Sequence, residues 1–478
     1  MESIQRAYSG LPIYIEPSLD YIPDLYTPFY YYVVALLSHI IGLDLFTGKL
    51  VTLSAVLGTG TVTFLWLRKE QTPLIPSLLG ASVFFAMYGL YDLRNYQVRV
   101  DGLFCFLLIT GFYVLYCYRT QLTAVIAGTL LCLAVYTKQS AIIAIIPVLA
   151  VYWHCVPTQR RYYVTGTFLL LCGVAFFALN IASDWWFWYY TVDVPSDHDL
   201  VSRQWLGFFS TMGKFTWPVI VLSVIGFLIA LRTKGVAKQL PYIALFLGLW
   251  GCSYSMRLHV GGERNTLMPA CIALSLFAPM VFCYFDSKHE SLKKAAIYAS
   301  LMLLFALQFF MYGYNPHRFI PQEHNIIAAQ RYLDYLGNIE GDILVEGGGF
   351  YPTRKNQRTY SINTSLWDIM RAHNEYIKEK LDKEYQDAVR QQKFAAIITY
   401  YPNPDRRYIR YRSNYKINES YEFKEKIGDH LWDKPVIEYN VLRNTPLPFF
   451  AKPRPRFRSY SQSRYVFIPK DKPSNLDK

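Results

Sequence analysis

Four short stretches place chemically able groups where apolar runs begin or end. "TKQS" sets Lys138 and Gln139 between two runs, each about long enough to cross a bilayer. "DLRNYQVRVDG" brings Arg94, then Arg99 and Asp101, to the start of another run. "RLHVGGERNTLMP" carries Arg257, His259, Glu263, Arg264 and Asn265 ahead of a late one. "EPSLDYIPDLYTP" offers Glu16, Asp20 and Asp24 just before Tyr26 and Tyr30. An ionisable group at the end of a span costs free energy unless it meets a cavity or a partner. Several cations on one side suit a phosphate or diphosphate, which Arg grips as a fork and Lys meets as a point charge. Arg99, Lys138 and Arg264 are therefore candidate phosphate ligands. Each has a plainer alternative: loop charges for Arg99 and Asp101, a snorkelling helix end for Lys138, an ordinary loop residue for Arg264. His259 has no metal-ligand spacing around it and reads as structural.

The elements that must hold these groups are helices in a membrane. The chain has 478 residues, 53% of them hydrophobic and 17% aromatic, and its apolar runs crowd into residues 28–312. Ten spans are expected, over 48–67, 72–91, 100–118, 121–137, 139–154, 162–182, 215–231, 240–256, 266–284 and 295–313. "TPFYYYVVALLSHIIG", residues 27–42, is short, opens on Thr-Pro and is rich in tyrosine, which suits an interfacial or re-entrant helix. With that segment on the surface, alternate loops carry Arg68 and Lys69, Arg119, Arg160 and Arg161, Arg232, Lys234 and Lys238, then Lys288, Lys293 and Lys294. These short cation-rich loops are cytoplasmic by the positive-inside rule, so Lys138 faces outward. The net charge of +13 is accounted for by such loops and by lipid phosphate, and implies no nucleic acid.

Other features are quieter. The eight cysteines lie in or beside apolar segments without a CxxC pair, as buried small hydrophobes do. "DWWFWYY", residues 184–190, reads as an interfacial aromatic belt, with a sugar or lipid platform as its alternative. "VEGGGFY", residues 345–351, lacks the Lys and Ser/Thr of a P-loop and reads as a strand-end turn. The first 25 residues have no h-region of a signal peptide. Three domains are expected: an extracytoplasmic loop and juxtamembrane helix over 1–47, a helix bundle over 48–313, and an extracytoplasmic α/β domain over 314–478. In the last, helix-period segments alternate with the strand-like runs "DILVE", "FAAIITYY" and "VIEYNVL". Its basic, proline-rich tail, "KPRPRFRSYSQSRYVFIPKDKPSNLDK", is expected to be loosely ordered or to lie near lipid headgroups.

In order and spacing, "SGLPIY", "YTPFYYYVVALLSHIIG", "GKLVTLSAVLGTGTVTFLWL", "RVDGLF", "YTKQSAII" and "GGERNTLMPA" resemble the PMT-like branch of the GT-C superfamily. That branch includes protein O-mannosyltransferases, the lipid A aminoarabinose transferase and bacterial RgtA/B/C/D-like proteins. The resemblance covers roughly residues 1–312. It implies a mainly α, polytopic membrane bundle with a small C-terminal α/β domain, in a cell or inner membrane. It also implies an inverting transfer of a sugar from a polyprenyl-phosphate donor to an extracytoplasmic glycan, lipid or protein. Such a reaction needs cations on the leaving phosphate and one carboxylate for the acceptor's proton. Asp24 and Asp101 are the candidate catalytic carboxylates, and Gln139, Asn265, Tyr26 and Tyr30 the candidate substrate contacts. No cofactor is assigned, and a divalent metal is left open. In the enzymes it resembles, a first span and an acidic residue precede the "ESIQRAYSG"-like stretch. The expected base then falls upstream of Met1, and this form is expected to be inactive unless Glu16, Asp20 or Asp24 takes that role. A transporter or flippase, or a non-catalytic scaffold, are the competing readings. The flippase is disfavoured because the polar groups sit at span ends and no repeat is visible.

Overall fold

The computed structural model describes residues 1–91, 97–155, 159–285, 292–312, 323–345, 352, 357–361, 364–399, 420–427 and 464–470. Arg94, Lys288, the glycines of "VEGGGFY" and the run "VIEYNVL" lie outside them. The protein is mainly helical. α1 (Glu2–Tyr8) and α2 (Phe29–Ile41) precede α3 (Leu45–Lys69), α4 (Leu74–Ala86), α5 (Asp101–Cys117), α6 (Gln121–Thr137), α7 (Ala141–Cys155) and α8 (Arg160–Ala182). The short turns α9 (Trp186–Trp188) and α10 (Val194–Asp197) lead into α11 (Ser202–Lys234), α12 (Val236–Leu258), α13 (Met268–Phe277) and α14 (Leu292–Met311). Among the described residues, six helical stretches are long and apolar enough to cross a membrane: Leu45–Lys69, Leu74–Tyr91, Arg160–Ala182, Ser202–Lys234, Arg264–Tyr284 and Leu292–Met311.

The remaining expected spans are α5, α6 and α7, of 17, 17 and 15 residues, and α12, of 23. At about 1.5 Å per residue, a 17-residue helix reaches only ~25 Å, short of a ~30 Å hydrocarbon core. The ends of α5 and α6 at Asp101 and Lys138 meet, and both residues are buried. α2, with 13 residues, is shorter still. It buries Tyr30, Tyr31, Val34, Ala35 and Ser38 against the bundle and leaves Leu36 and Ile40 71% and 82% exposed. At about 1.5 Å per residue its 13 residues reach only ~20 Å, too short for a span.

Loops sort to two ends. At one, Arg160 Nε donates to the Thr120 carbonyl (3.3 Å), Tyr242 OH donates to Glu70 (2.7 Å), and Lys69 lies over the Tyr118 ring. These residues lie on or beside the cation-rich loops. At the other end gather Asp101, Lys138, Gln139 and Asn265. α5 leaves its start close to α3 because residue 102 is glycine: a Cβ there would lie 3.0 Å from the Thr52 carbonyl oxygen.

Beyond the bundle, α15 (Glu323–Gly337), β1 (Ile343–Val345), α16 (Thr364–Arg371), α17 (Glu375–Arg390), β2 (Ala396–Thr399), β3 (Tyr421–Ile427) and β4 (Arg464–Pro469) build a small α/β unit. The sheet order is β1-β2-β4-β3, with β1 parallel to β2 and β4 antiparallel to both its neighbours. Strand alternation splits the side chains between two cores. Ile343, Val345, Ala396, Ile398 and Val466 pack with Leu336 and Ile339 at the C-terminal end of α15. Leu344, Ile397 and Phe467 face the larger core that takes in α17 and runs on into the membrane helices. The tail thus departs from expectation: part of it, Arg464–Pro469, is an inner strand paired on both edges. The reason is local. "RYVFIP" is a β-branched and aromatic run whose Val466 and Phe467 are buried, and the basic, proline-rich residues before it masked that signal.

Candidate active site

Asp101 opens α5, where the helix dipole favours a negative charge. Its Oδ1 accepts from Lys138 Nζ at 2.6 Å and its Oδ2 from Arg99 Nε at 3.1 Å. Lys138 reaches it because α6 ends at Thr137 and residue 138 is extended, with φ −154°. The Asn265 side chain, from the one-turn helix Arg264–Leu267, bonds to the same carboxylate. The Lys138 and Asp101 side chains are 7% and 3% exposed, whereas Arg99 is 28% exposed. Two cations on one anion leave this cluster with a net positive charge, carried outward by Arg99.

Aromatic and backbone groups fix the surroundings. Arg99 Nη2 approaches Tyr26 OH at 3.5 Å, and Lys138 lies 5.4 Å from the Tyr26 ring centroid. Gln139 Nε2 donates to the Leu25 and Thr191 carbonyls at 2.8 and 3.1 Å, tying the N-terminal segment and the 183–201 segment to the helix ends. Tyr14 OH donates to the Tyr26 carbonyl at 2.6 Å. Tyr30 is buried away from the rim. Its OH meets the Gly48 carbonyl and Thr52 Oγ1, and Thr52 in turn donates to the Arg99 carbonyl. Tyr30 thus braces the loop that carries Arg99. Among the described residues, Gln139 Oε1 and Asn265 Oδ1 are buried acceptors without a hydrogen-bond donor. Such a group costs about 1–3 kcal/mol and calls for an explanation.

Arg264 and Asn265 diverge although adjacent. Arg264 lines a cavity of about 310 Å³ on the same side, together with Gln204, Arg257, His259 and Glu263. His259 bridges to Leu200 in an antiparallel backbone pair, a structural position. Burial and the nearby His198 push its imidazole below the usual range, towards neutrality.

The carboxylates Glu16, Asp20 and Asp24 of the N-terminal segment have separate fates. Glu16 pairs with Lys380 at 2.5 Å, and Asp20 pairs with Arg358 at 2.6 Å. Both contacts, with Leu19 N donating to Glu384 at 2.8 Å and Ser361 N donating to the Leu19 carbonyl at 2.8 Å, dock the segment on the α/β unit. Asp24 is held differently, by Tyr31 OH at 3.4 Å and by Ser365 Oγ of α16 at 3.2 Å. One turn further along α16, Asp368 faces the same region. Burial pushes its carboxyl up to about 6, with Asp24 adding to the effect and His198 and Arg371 pulling against it. Nothing in the sequence marks Ser365, Asp368 or Tyr31, because each acts through a partner chosen by the fold.

"DWWFWYY" divides. Phe187 and Tyr190 are buried against Tyr14, while Trp185 and Trp188 stay 55% and 37% exposed. Among the described residues, no three His, Cys, Asp or Glu side chains are grouped so as to hold a metal ion.

No family model and no curated protein matches the chain. Among solved structures it is similar to ArnT from Cupriavidus metallidurans bound to undecaprenyl phosphate. The TM-score is 0.53 at 11% identity, over 85% of this chain and 88% of that one. ArnT from Cupriavidus metallidurans in the apo state gives 0.50 at 10% identity over the same shares. The likeness establishes a GT-C fold, a helix bundle with a domain behind it.

Proposed function

We propose that this protein is a membrane glycosyltransferase that takes a sugar from a polyprenyl-phosphate donor and passes it, with inversion, to an extracytoplasmic acceptor. The observation that carries the reading is the Arg99–Asp101–Lys138 cluster flanked by two buried amide oxygens lacking donors. A GT-C fold seen with undecaprenyl phosphate in ArnT supports the donor class.

In this mechanism the donor's phosphate lies against Arg99. Its guanidinium has five N–H donors, of which the structure engages Nε with Asp101 and sets Nη2 near Tyr26. Lys138 acts mainly through Asp101, holding that carboxylate so that Arg99 is fixed in direction, and it adds positive potential as charge develops on the leaving phosphate. Arg264 reaches the donor from its own cavity. Gln139 Oε1 and Asn265 Oδ1 accept hydrogen bonds from the sugar's hydroxyls, and Tyr26 lines its path. Asp24 takes the acceptor's proton. Unlike Glu16 and Asp20 it is not ion-paired to the α/β unit, and it lies close enough to Arg99 to act on its charge. The α/β unit is placed outside, over the site.

The test is consumption of undecaprenyl-phosphate-linked sugars, supplied as a panel of hexoses, pentoses and uronic acids, by purified protein in lipid. Asp24→Asn is expected to lower turnover by about 10²–10⁴, the usual contribution of a general base. Movement of donor across the bilayer without consumption defeats the proposal, as does an Asp24→Asn variant as active as the wild type.

A further inference from the structure

The base in the proposed mechanism belongs to the N-terminal segment, yet one of its two hydrogen-bond donors comes from a helix some 340 residues away in the chain. Ser365 lies in the first turn of α16 and is 2% exposed, and its Oγ meets Asp24 Oδ1 at 3.2 Å. Tyr31 of α2 meets the other oxygen at 3.4 Å. A carboxylate held at both oxygens by groups on two different elements has its rotation about χ2 fixed, which is what aiming a base requires.

The helix that presents Ser365 is itself anchored to the bundle at several points. Leu366 and Ile369 are buried in the core shared with the membrane helices. His198 Nε2 meets the Asp368 carbonyl at 2.9 Å, and beyond the helix His373 N donates to Asp197 at 2.9 Å, with His373 Nδ1 3.4 Å from the same carboxylate. α16 is therefore fixed on the 183–201 segment at Asp197 and His198, and Gln139 ties down the same segment at Thr191, beside Lys138.

We propose that Ser365 is a positioning residue for the transfer reaction: through it the α/β unit aims Asp24 at the acceptor's hydroxyl. The inference rests on Asp24 being the base. The serine hydroxyl forms no bond to substrate. It donates to the carboxylate while the carboxylate takes the acceptor's proton, and no further reactant is involved.

The experiment compares wild type, Ser365→Ala, Ser365→Thr, Asp24→Asn and the double variant Asp24→Asn/Ser365→Ala. The donor is whichever undecaprenyl-phosphate sugar of the panel the wild type consumes, and melting temperature is followed in the same detergent. Ser365→Ala is expected to lower kcat about 5- to 20-fold with the donor's KM and the melting temperature unchanged. Ser365→Thr restores most of the loss. In the Asp24→Asn background the same Ala substitution changes the residual rate less than twofold. If that background has no measurable residual rate, the Thr rescue and the kcat-against-KM split decide. A kcat equal to wild type in Ser365→Ala, with Asp24→Asn inactive, overturns the positioning role and leaves the proposed function standing. A fall in kcat that tracks a fall in melting temperature, without Thr rescue, overturns it as well. An Asp24→Asn variant with normal turnover, or a wild type that consumes no donor, removes the proposed function and this inference with it.

Discussion

Asp101 and Lys138 share a place where neither charge survives alone. Removing one member of a buried pair leaves the other uncompensated and costs about 3–5 kcal/mol, whereas replacing both by apolar groups of similar volume is often neutral. Asp101→Asn should therefore destabilise strongly, because it strips the buried Lys138 ammonium of its counter-ion. The double variant Lys138→Met/Asp101→Leu should regain most of the lost melting temperature and none of the turnover. Near-normal turnover in that double variant would show the pair to be structural only. Arg99, Asp101, Lys138 and Asn265 were legible because polar residues at the ends of apolar runs need a partner, and here they partner each other. Arg264 illustrates the limit. A one-turn helix sends adjacent side chains in different directions, and nothing in "ERNTLMP" says which of the two joins Asp101. The same holds for Tyr30, whose role as a brace depends on which face of α2 meets α3.

At the scale of elements, α16 carries a carboxyl whose titration bears on stability. Asp368 titrates at about 6 in the folded protein against an ordinary 3.8, so the folded state holds its proton more tightly than the unfolded chain does. The stability this contributes is fully present below about pH 4 and is lost as pH rises through about 6. Asp368→Asn removes the titrating group. Between pH 4.5 and 7, the melting temperature of the wild type should fall relative to that variant's, and parallel curves would refute the account. The helices of the bundle were readable from hydropathy alone, because each buries or greases nearly its whole surface. β1 and β2 were also readable as short apolar runs. β3 and β4 were not. "YEFKEKI" alternates too weakly in hydrophobicity to stand out, and "RYVFIP" lies in a composition that argues for disorder. β4 owes its strand state to β2 and β3, and β3 to β4, a dependence no local window contains.

For the whole molecule, the native thiols report which end of the bundle faces the cytoplasm. Cys283 is exposed and sits beside Thr72 and the Glu70 carbonyl, at the end where the cation-rich loops gather. Cys117 and Cys155, partly exposed, close α5 and α7 at that same end. Near the opposite end, Cys105 and Cys252 are buried. A membrane-impermeant maleimide should label the protein in inverted vesicles and leave it unlabelled in intact spheroplasts. Labelling in spheroplasts that is lost in Cys283→Ser would place the cation-rich loops outside and reverse the proposed orientation.

β4 lies between β2 and β3 but follows both in the chain. As the polypeptide is made, β2 must therefore stand with an unfilled edge until residue 469 has been added. Synthesis at ~5–20 residues per second stretches that wait to several seconds, against the ~1–10 µs in which a hairpin closes. An open edge reading Ala-Ile-Ile-Thr invites pairing with any other strand nearby. The bundle end that holds Lys138 is thus laid down first, and the sheet behind α17 closes only once β4 has been made, so the protein matures from its membrane half outward.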